Sequence, residues 1–141
     1  MGLDMYLYKR TYVQKWEHQK PENSFDVNVK RGGVTSPNVK PERIVYVIEQ
    51  VGQWRKFYPL NEWFFDNCGI GGESREFNVD REKLVEVLNL LKEQVSNPDK
   101  DMLNGMNENK WHYEQAEETI ELLNEILSED DSDDFYYYAS W

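Results

Sequence analysis

The stretch "DREKLVEVLNLLKEQVSNP" constrains the fold most, because its apolar residues Leu84, Val87, Leu88, Leu91 and Val95 recur at intervals of three and four. That spacing puts them on one face of an α-helix. Asp80 stands at the N-cap position and Pro98 stops the helix. A second stretch, "KWHYEQAEETIELLNEILSE", repeats the design, with Trp111, Ala116, Ile120, Leu123 and Leu127 as one stripe and Glu114, Glu117, Glu118, Glu121 and Glu125 opposite. Two one-sided helices must share a partner surface, and the remaining segments offer strands for it.

The opening "GLDMYLYKRTYV" alternates, with Leu3, Met5 and Leu7 on one face and Tyr6, Tyr8, Arg10 and Tyr12 on the other. Period-two patterning rich in tyrosine and valine predicts a strand covered on both faces. Residues 43–51, "RIVYVIEQV", are β-branched and apolar and read as a buried strand bounded by Pro41 and Gly52. Residues 60–67 read as helical, with Pro59 in the first turn where its missing N–H costs nothing. Residues 75–79, "REFNV", read as a short strand or edge segment. The closing "FYYYASW" follows an acidic turn at 128–134 and is expected to return as a strand beside the N-terminal one. Exposed rings favour burial by about 25 cal/mol per Å², so four consecutive aromatics argue against a loose tail.

Residues 14–42 are a long polar excursion with Pro21, Gly32, Gly33, Pro37 and Pro41, and one short strand is expected at 25–29. The expected whole is a single α+β domain over residues 1–141. Its small mixed or antiparallel sheet includes the N- and C-terminal strands and is packed by two to three amphipathic helices.

A chain of 141 residues can bury one real core. No window approaches the roughly 18 apolar residues a membrane span requires, and no signal-peptide layout opens the chain, so a cytoplasmic protein is expected. The single cysteine, Cys68, cannot supply a Cys-based metal site and reads as an incidental loop thiol. The net charge of −11 is concentrated: residues 99–134 hold thirteen acids against Lys100 and Lys110, and elsewhere the charges balance. Such a quarter repels nucleic acid or attracts a basic protein, and as a solvated helix face it also keeps the chain soluble.

Phosphate loops, nucleophile elbows and paired metal ligands are missing from the sequence. "GIGG" at 69–72 lacks the lysine and helix start that a phosphate loop needs. His18 and His112 lie in different elements and read as surface or partly packed residues. Carboxylate pairs are too plentiful in the acidic quarter to mark a catalytic two. No metal or cofactor is expected.

"WRKFYPLNEWFF" is more informative. Trp54, Arg55 and Lys56 stand beside Phe57, Tyr58, Trp63 and Phe64. Aromatic faces next to guanidinium and ammonium groups suit a flat anionic ligand, of which a nucleotide is one. The alternative is that the rings are core and the bases snorkel to solvent. "KRGG" at 30–33, with Lys40 and Arg43, is by itself a basic turn.

The start "MGLDMYLYKRTYV", the middle "QWRK" followed by "WF", the helix text "YEQAEETIELL" and the ending "FYYYASW" together resemble a family of small uncharacterised phage and prophage proteins that begin MGLDMYL. Some members of that family carry a phosphoglycerate kinase label, for which this chain is too short and lacks a phosphate loop. Where the family pattern commonly has a histidine before "WF", Glu62 stands here.

The resemblance implies a phage-borne accessory protein in a bacterial host cytoplasm, of a kind that often opposes host defence. On that expectation the chain binds and sequesters a nucleotide-type immune signal without enzymatic turnover. The resemblance gives no residue a role; from the aromatic-basic cluster, Trp54, Arg55 and Lys56 are expected to form the site, with Tyr8, Arg10, Trp63, Tyr136 and Tyr138 as further walls. One alternative is an acidic decoy that blocks a nucleic-acid-binding defence protein through Glu117, Glu118, Glu121 and Glu125. The other is a small hydrolase of a nucleotide signal. Neither membrane nor direct nucleic-acid binding is expected, and a homo-oligomer stays open.

Overall fold

The computed structural model describes residues 2–69, 75–129 and 134–141. The chain divides into two compact units, one running to Lys9 and resuming over Glu49–Trp141, the other Arg10–Ile48.

Strands β1 (Asp4–Tyr12), β4 (Tyr46–Arg55), β5 (Glu76–Val79) and β6 (Phe135–Ser140) line up in the order β4-β1-β6-β5 as an antiparallel sheet, of which residues 10–12 of β1 and 46–48 of β4 are counted with the second unit. Helices α1 (Tyr58–Cys68), α2 (Arg81–Ser96) and α3 (Trp111–Leu127) complete an α+β fold. The aromatic C-terminal segment is thus a central strand. It pairs with β1, Tyr6 opposite Tyr138 and Tyr8 opposite Tyr136, and with β5, Phe77 opposite Tyr137.

Alternation along the strands decides what each face does. Leu3, Met5 and Leu7 of the N-terminal segment turn to the core with Phe135, Tyr137, Ala139, Phe77 and Val79. Against them pack Leu60 and Phe64 of α1, Leu84, Val87 and Leu91 of α2, and Ala116 and Leu123 of α3. Tyr137 sits at the centre, fully buried, with the Phe64 ring stacked at 4.4 Å. Burial of an aromatic of this size contributes about 2–3 kcal/mol. Its hydroxyl, which would be costly unpaired, donates to Asn61 Oδ1 at 2.5 Å. Burial also pushes the Tyr137 phenol well above its usual range.

Lys9 and Gln94, two of the four buried polar residues, stand among these apolar ones because each is paired. Lys9 is buried on the core face of β1, and its Nζ donates to Glu129 at 3.0 Å just past the end of α3. Arg81 donates to the carbonyls of Leu127 and Glu129 at the same place. Two cations therefore meet the negative end of the α3 dipole. Gln94, wholly buried in α2, uses its entire amide. Nε2 donates to the Lys100 carbonyl and the Tyr113 hydroxyl, and Oε1 accepts from the amides of Met102 and Leu103. This fixes the loop that leads into α3.

Several sequence expectations are corrected. The strand expected at 43–51 is displaced to Tyr46–Arg55, and its first half is exposed rather than buried. Gly52 does not end it: a Cβ there would meet the Trp54 indole at 2.7 Å, so the glycine is the space in which that ring lies. In the second unit the expected strand at 25–29 is absent. A hairpin forms just beyond, β2 (Lys30–Arg31) against β3 (Val34–Thr35), because Gly32 and Gly33 take φ of 61° and 83° and make the tight turn. That unit also packs Tyr12 edge-on against Tyr46 and encloses a cavity of about 480 Å³ lined by Val13, Phe25, Val27 and Pro41, with Lys15, Asp26, Asn28 and Glu42 at its polar side. Asp80 occupies the N-cap position of α2, yet its side chain makes no capping bond. The Gly-rich stretch 70–72 and most of the acidic turn, residues 130–133, lie outside the described residues.

Candidate functional site

The residues singled out by the sequence are not brought together in one place. Trp54 and Trp63, 6% and 7% exposed, are part of the core cluster, and neither lines the cleft beside Arg55 and Lys56. The Trp54 indole N–H donates to Thr119 Oγ1 at 2.7 Å, and Thr119 in turn donates to the Gln115 carbonyl at 2.7 Å. The single polar atom of that indole is thus committed inside the fold.

Tyr8, Tyr136 and Tyr138 stand with Tyr6 on the sheet face opposite the core. Tyr8 stacks on Tyr136 at 4.9 Å and Tyr6 on Tyr138 at 6.0 Å. These cross-strand pairs support the register of β1 and β6. Burial first, then the neighbouring phenols and Glu76, raises the Tyr8 phenol above its usual range. Arg10 belongs to the second unit, where its guanidinium lies 4.5 Å over the Tyr46 ring.

Arg55 and Lys56 form another place. β4 ends at Arg55, and Lys56 turns the chain with φ of 55°, a left-handed conformation uncommon for a side chain of this kind. The turn carries Phe57 into the core, fully buried, and leaves both bases beside the start of α3. Between them is a cleft of about 310 Å³ lined by Arg55, Lys56, Asn109, Trp111, His112 and Gln115, with Glu114 and Glu118 at its acidic side.

Trp111 was expected in the apolar stripe of α3, but it is 62% exposed. The buried set is His112, Ala116, Thr119, Leu123 and Ile126. Those intervals of four and three follow one helical face better than the stripe drawn through Trp111. The sequence signal was present, but it ran through histidine and threonine and was hidden by their polarity. The indole of Trp111 is thereby left as an aromatic surface on the cleft.

His112 is 6% exposed, its ring stacked 5.6 Å from that of Phe57. Its Nδ1 lies 3.1 Å from Gln115 Oε1, and Gln115 Nε2 donates to the Arg55 carbonyl at 2.9 Å. A carbonyl only accepts, so the Gln115 amide must point its nitrogen at Arg55 and its oxygen at His112. An amide oxygen also only accepts, so Nδ1 carries the proton. Nε2 has no hydrogen bond among the described residues, while none of their fully buried side-chain nitrogens or oxygens lacks a partner. Nε2 therefore reaches the accessible surface, and the ring lines the cleft.

The N-terminal amides of α3 contribute less than a bare helix end would. The Trp111 amide is taken by Asn109 Oδ1 at 3.0 Å and that of His112 by the Asn109 carbonyl at 3.0 Å. Recognition in the cleft consequently falls to side chains: two cations, an indole and an imidazole.

The four glutamates of the expected acidic face are all exposed on α3. Glu118, Glu121 and Glu125 border a second groove of about 390 Å³ with Glu49, Val51, Leu122, Ile126 and Glu129. Among the described residues no group of three or more metal-ligating side chains comes together, and no helix is long and apolar enough to cross a membrane. No family model, curated protein or solved structure matches the chain.

Proposed function

We propose that this chain binds a nucleotide-type small molecule in the cleft between the Arg55–Lys56 turn and the start of α3, and that it acts by holding the ligand rather than converting it. The observation that carries the reading is the meeting of Arg55 and Lys56 with the exposed Trp111 indole around one cleft of about 310 Å³. A base stacked on an indole gains roughly 1–3 kcal/mol, and a guanidinium grips a phosphate through paired donors. In the phage setting suggested by the MGLDMYL resemblance, the ligand is a defence signal and the role is sequestration in the host cytoplasm.

The test is a nucleotide panel that includes cyclic and ADP-ribose-type compounds, read by melting shift and by chromatography of the recovered ligand. A ligand at 100 times its Kd stabilises by about 2.7 kcal/mol, which raises Tm by roughly 10 °C for a chain of this size. The same ligand recovered intact supports sequestration, and a converted product shows a hydrolase instead. No shift across the panel, with Arg55→Ala behaving as the parent, refutes the reading.

One observation favours a second reading, a decoy for a basic protein surface: Glu118, Glu121 and Glu125 line a groove rather than a flat helix face. Changing Glu117, Glu118, Glu121 and Glu125 to Gln abolishes such an interaction and its salt dependence. Retained binding by that variant removes it.

A further inference from the structure

We propose that His112 is the anion contact at the floor of the cleft: protonated on Nε2, it donates to an oxygen of a phosphate group that Arg55 and Lys56 draw in. The base of the same ligand then lies on Trp111. This deepens the nucleotide reading by naming the ligand end that enters first. It rests on that reading for the base, though not for the phosphate.

The geometry supplies the reasons. His112 is held on both sides, by the Phe57 ring against its face and by Gln115 against Nδ1. Gln115 is itself anchored on the Arg55 carbonyl, so the imidazole and the guanidinium share one backbone reference. The Gln115 oxygen accepts from Nδ1–H whether the ring is neutral or cationic. Protonation therefore changes only the cleft-facing nitrogen, which goes from acceptor to donor without moving the ring. The imidazole is nine-tenths buried and packs one face on Phe57, yet with Nδ1 tied down and Nε2 unpartnered at a cleft wall its free nitrogen is placed for a ligand.

The charges around the cleft are Arg55 and Lys56 from the turn after β4, Glu114 and Glu118 from α3 itself, and Asp4 of β1, whose carboxylate lies 3.9 Å from Arg55 Nε; Phe57 and Asn109 contribute no charge. A positive charge on His112 brings three cations level with the three carboxylates and adds a donor where the anion enters, which shifts the cleft toward anions. Binding of an oxyanion is thus coupled to uptake of one proton on Nε2.

The test uses sulfate, whose charge is constant from about pH 5.5 to about pH 8, alongside AMP, adenosine and the intact protein. Calorimetry should show sulfate bound about tenfold more tightly at the acid end, the size of one charge-assisted hydrogen bond, and His112→Gln should bind with no such pH dependence. Imidazole ¹H–¹⁵N spectra of the parent protein need no variant. They should show the proton on Nδ1 of His112 and a shift of Nε2 when sulfate is added.

A neutral ring with its proton on Nε2, a sulfate affinity that is flat with pH, or a pH dependence that survives in His112→Gln overturns the proposal. AMP binding no tighter than sulfate, with the pH dependence intact, upholds the oxyanion site and refutes the nucleotide reading. Tight AMP binding with a sulfate-insensitive Nε2 does the reverse.

Discussion

Replacing Gln94 by leucine tests whether a single buried amide sets the approach to α3. Leucine has similar bulk and no polar atoms, so the change removes four hydrogen bonds, to the Lys100 carbonyl, the Tyr113 hydroxyl and the amides of Met102 and Leu103. At about 1 kcal/mol net for each, the loss is roughly 4 kcal/mol. Tyr113 keeps its bond to Asn107 Oδ1 at 2.8 Å, and the new apolar burial returns about 1–2 kcal/mol. The expected net destabilisation is therefore about 2–3 kcal/mol, a large share of the roughly 5–15 kcal/mol by which domains of this kind are stable. Urea unfolding followed by far-ultraviolet circular dichroism should show a lower midpoint at unchanged slope, and Tm should fall by about 10 °C. Because the loop also carries Asn109 to the cleft wall, AMP affinity should weaken together with stability. A midpoint shift worth less than about 0.5 kcal/mol would show that the loop amides find other partners and that Gln94 does not hold them.

Lys56→Gly should separate binding from stability. Relief of the left-handed backbone, about 1–2 kcal/mol, offsets the flexibility glycine adds to the unfolded chain. Tm should be unchanged or slightly higher while AMP affinity drops about tenfold, and a clear loss of stability would contradict this. Burial pushes the Cys68 thiol up to about 11, so the folded protein should react with iodoacetamide at least about 100-fold more slowly at pH 8 than in urea. The raised thiol leaves stability untouched below the unfolded value of 9.0 and lowers it above, where only the unfolded chain ionises. A rate near that of free cysteine would refute the burial. Deleting residues 135–141 removes the central strand and should abolish cooperative melting altogether; an unchanged melt would show that β6 contributes nothing.

The parts of the fold legible in the sequence were those whose pattern and environment agree. Leu84, Val87, Leu88 and Leu91 announce α2 because every inward position is aliphatic. "FYYYASW" announces a buried strand because alternate rings, Phe135 and Tyr137, have nowhere else to go. Legibility failed where an inward position is polar or an outward one aromatic. His112 and Thr119 look like surface residues until their partners across the core, Phe57 and Trp54, are in place. Trp111 looks like core until the helix is turned by one residue. The site followed the same rule: Arg55 and Lys56 were readable from charge, whereas the wall that faces them comes from residues more than fifty positions later.

The central position of β6 also governs how the fold is reached. It pairs on one side with β1, Asp4 opposite Ser140 and Tyr8 opposite Tyr136, and on the other with β5, Phe77 opposite Tyr137, so the sheet closes only through contacts of long sequence separation. Such topology is slow, since the entropy of a large loop is lost before any ladder bond repays it. The adjacent α2 and α3 can meet early, while β1 and β5 wait without a shared neighbour. During synthesis the growing chain therefore carries two unpaired strand edges until Phe135–Ser140 emerges, and it is in that interval, more than in the finished fold, that it is open to mispairing with another chain.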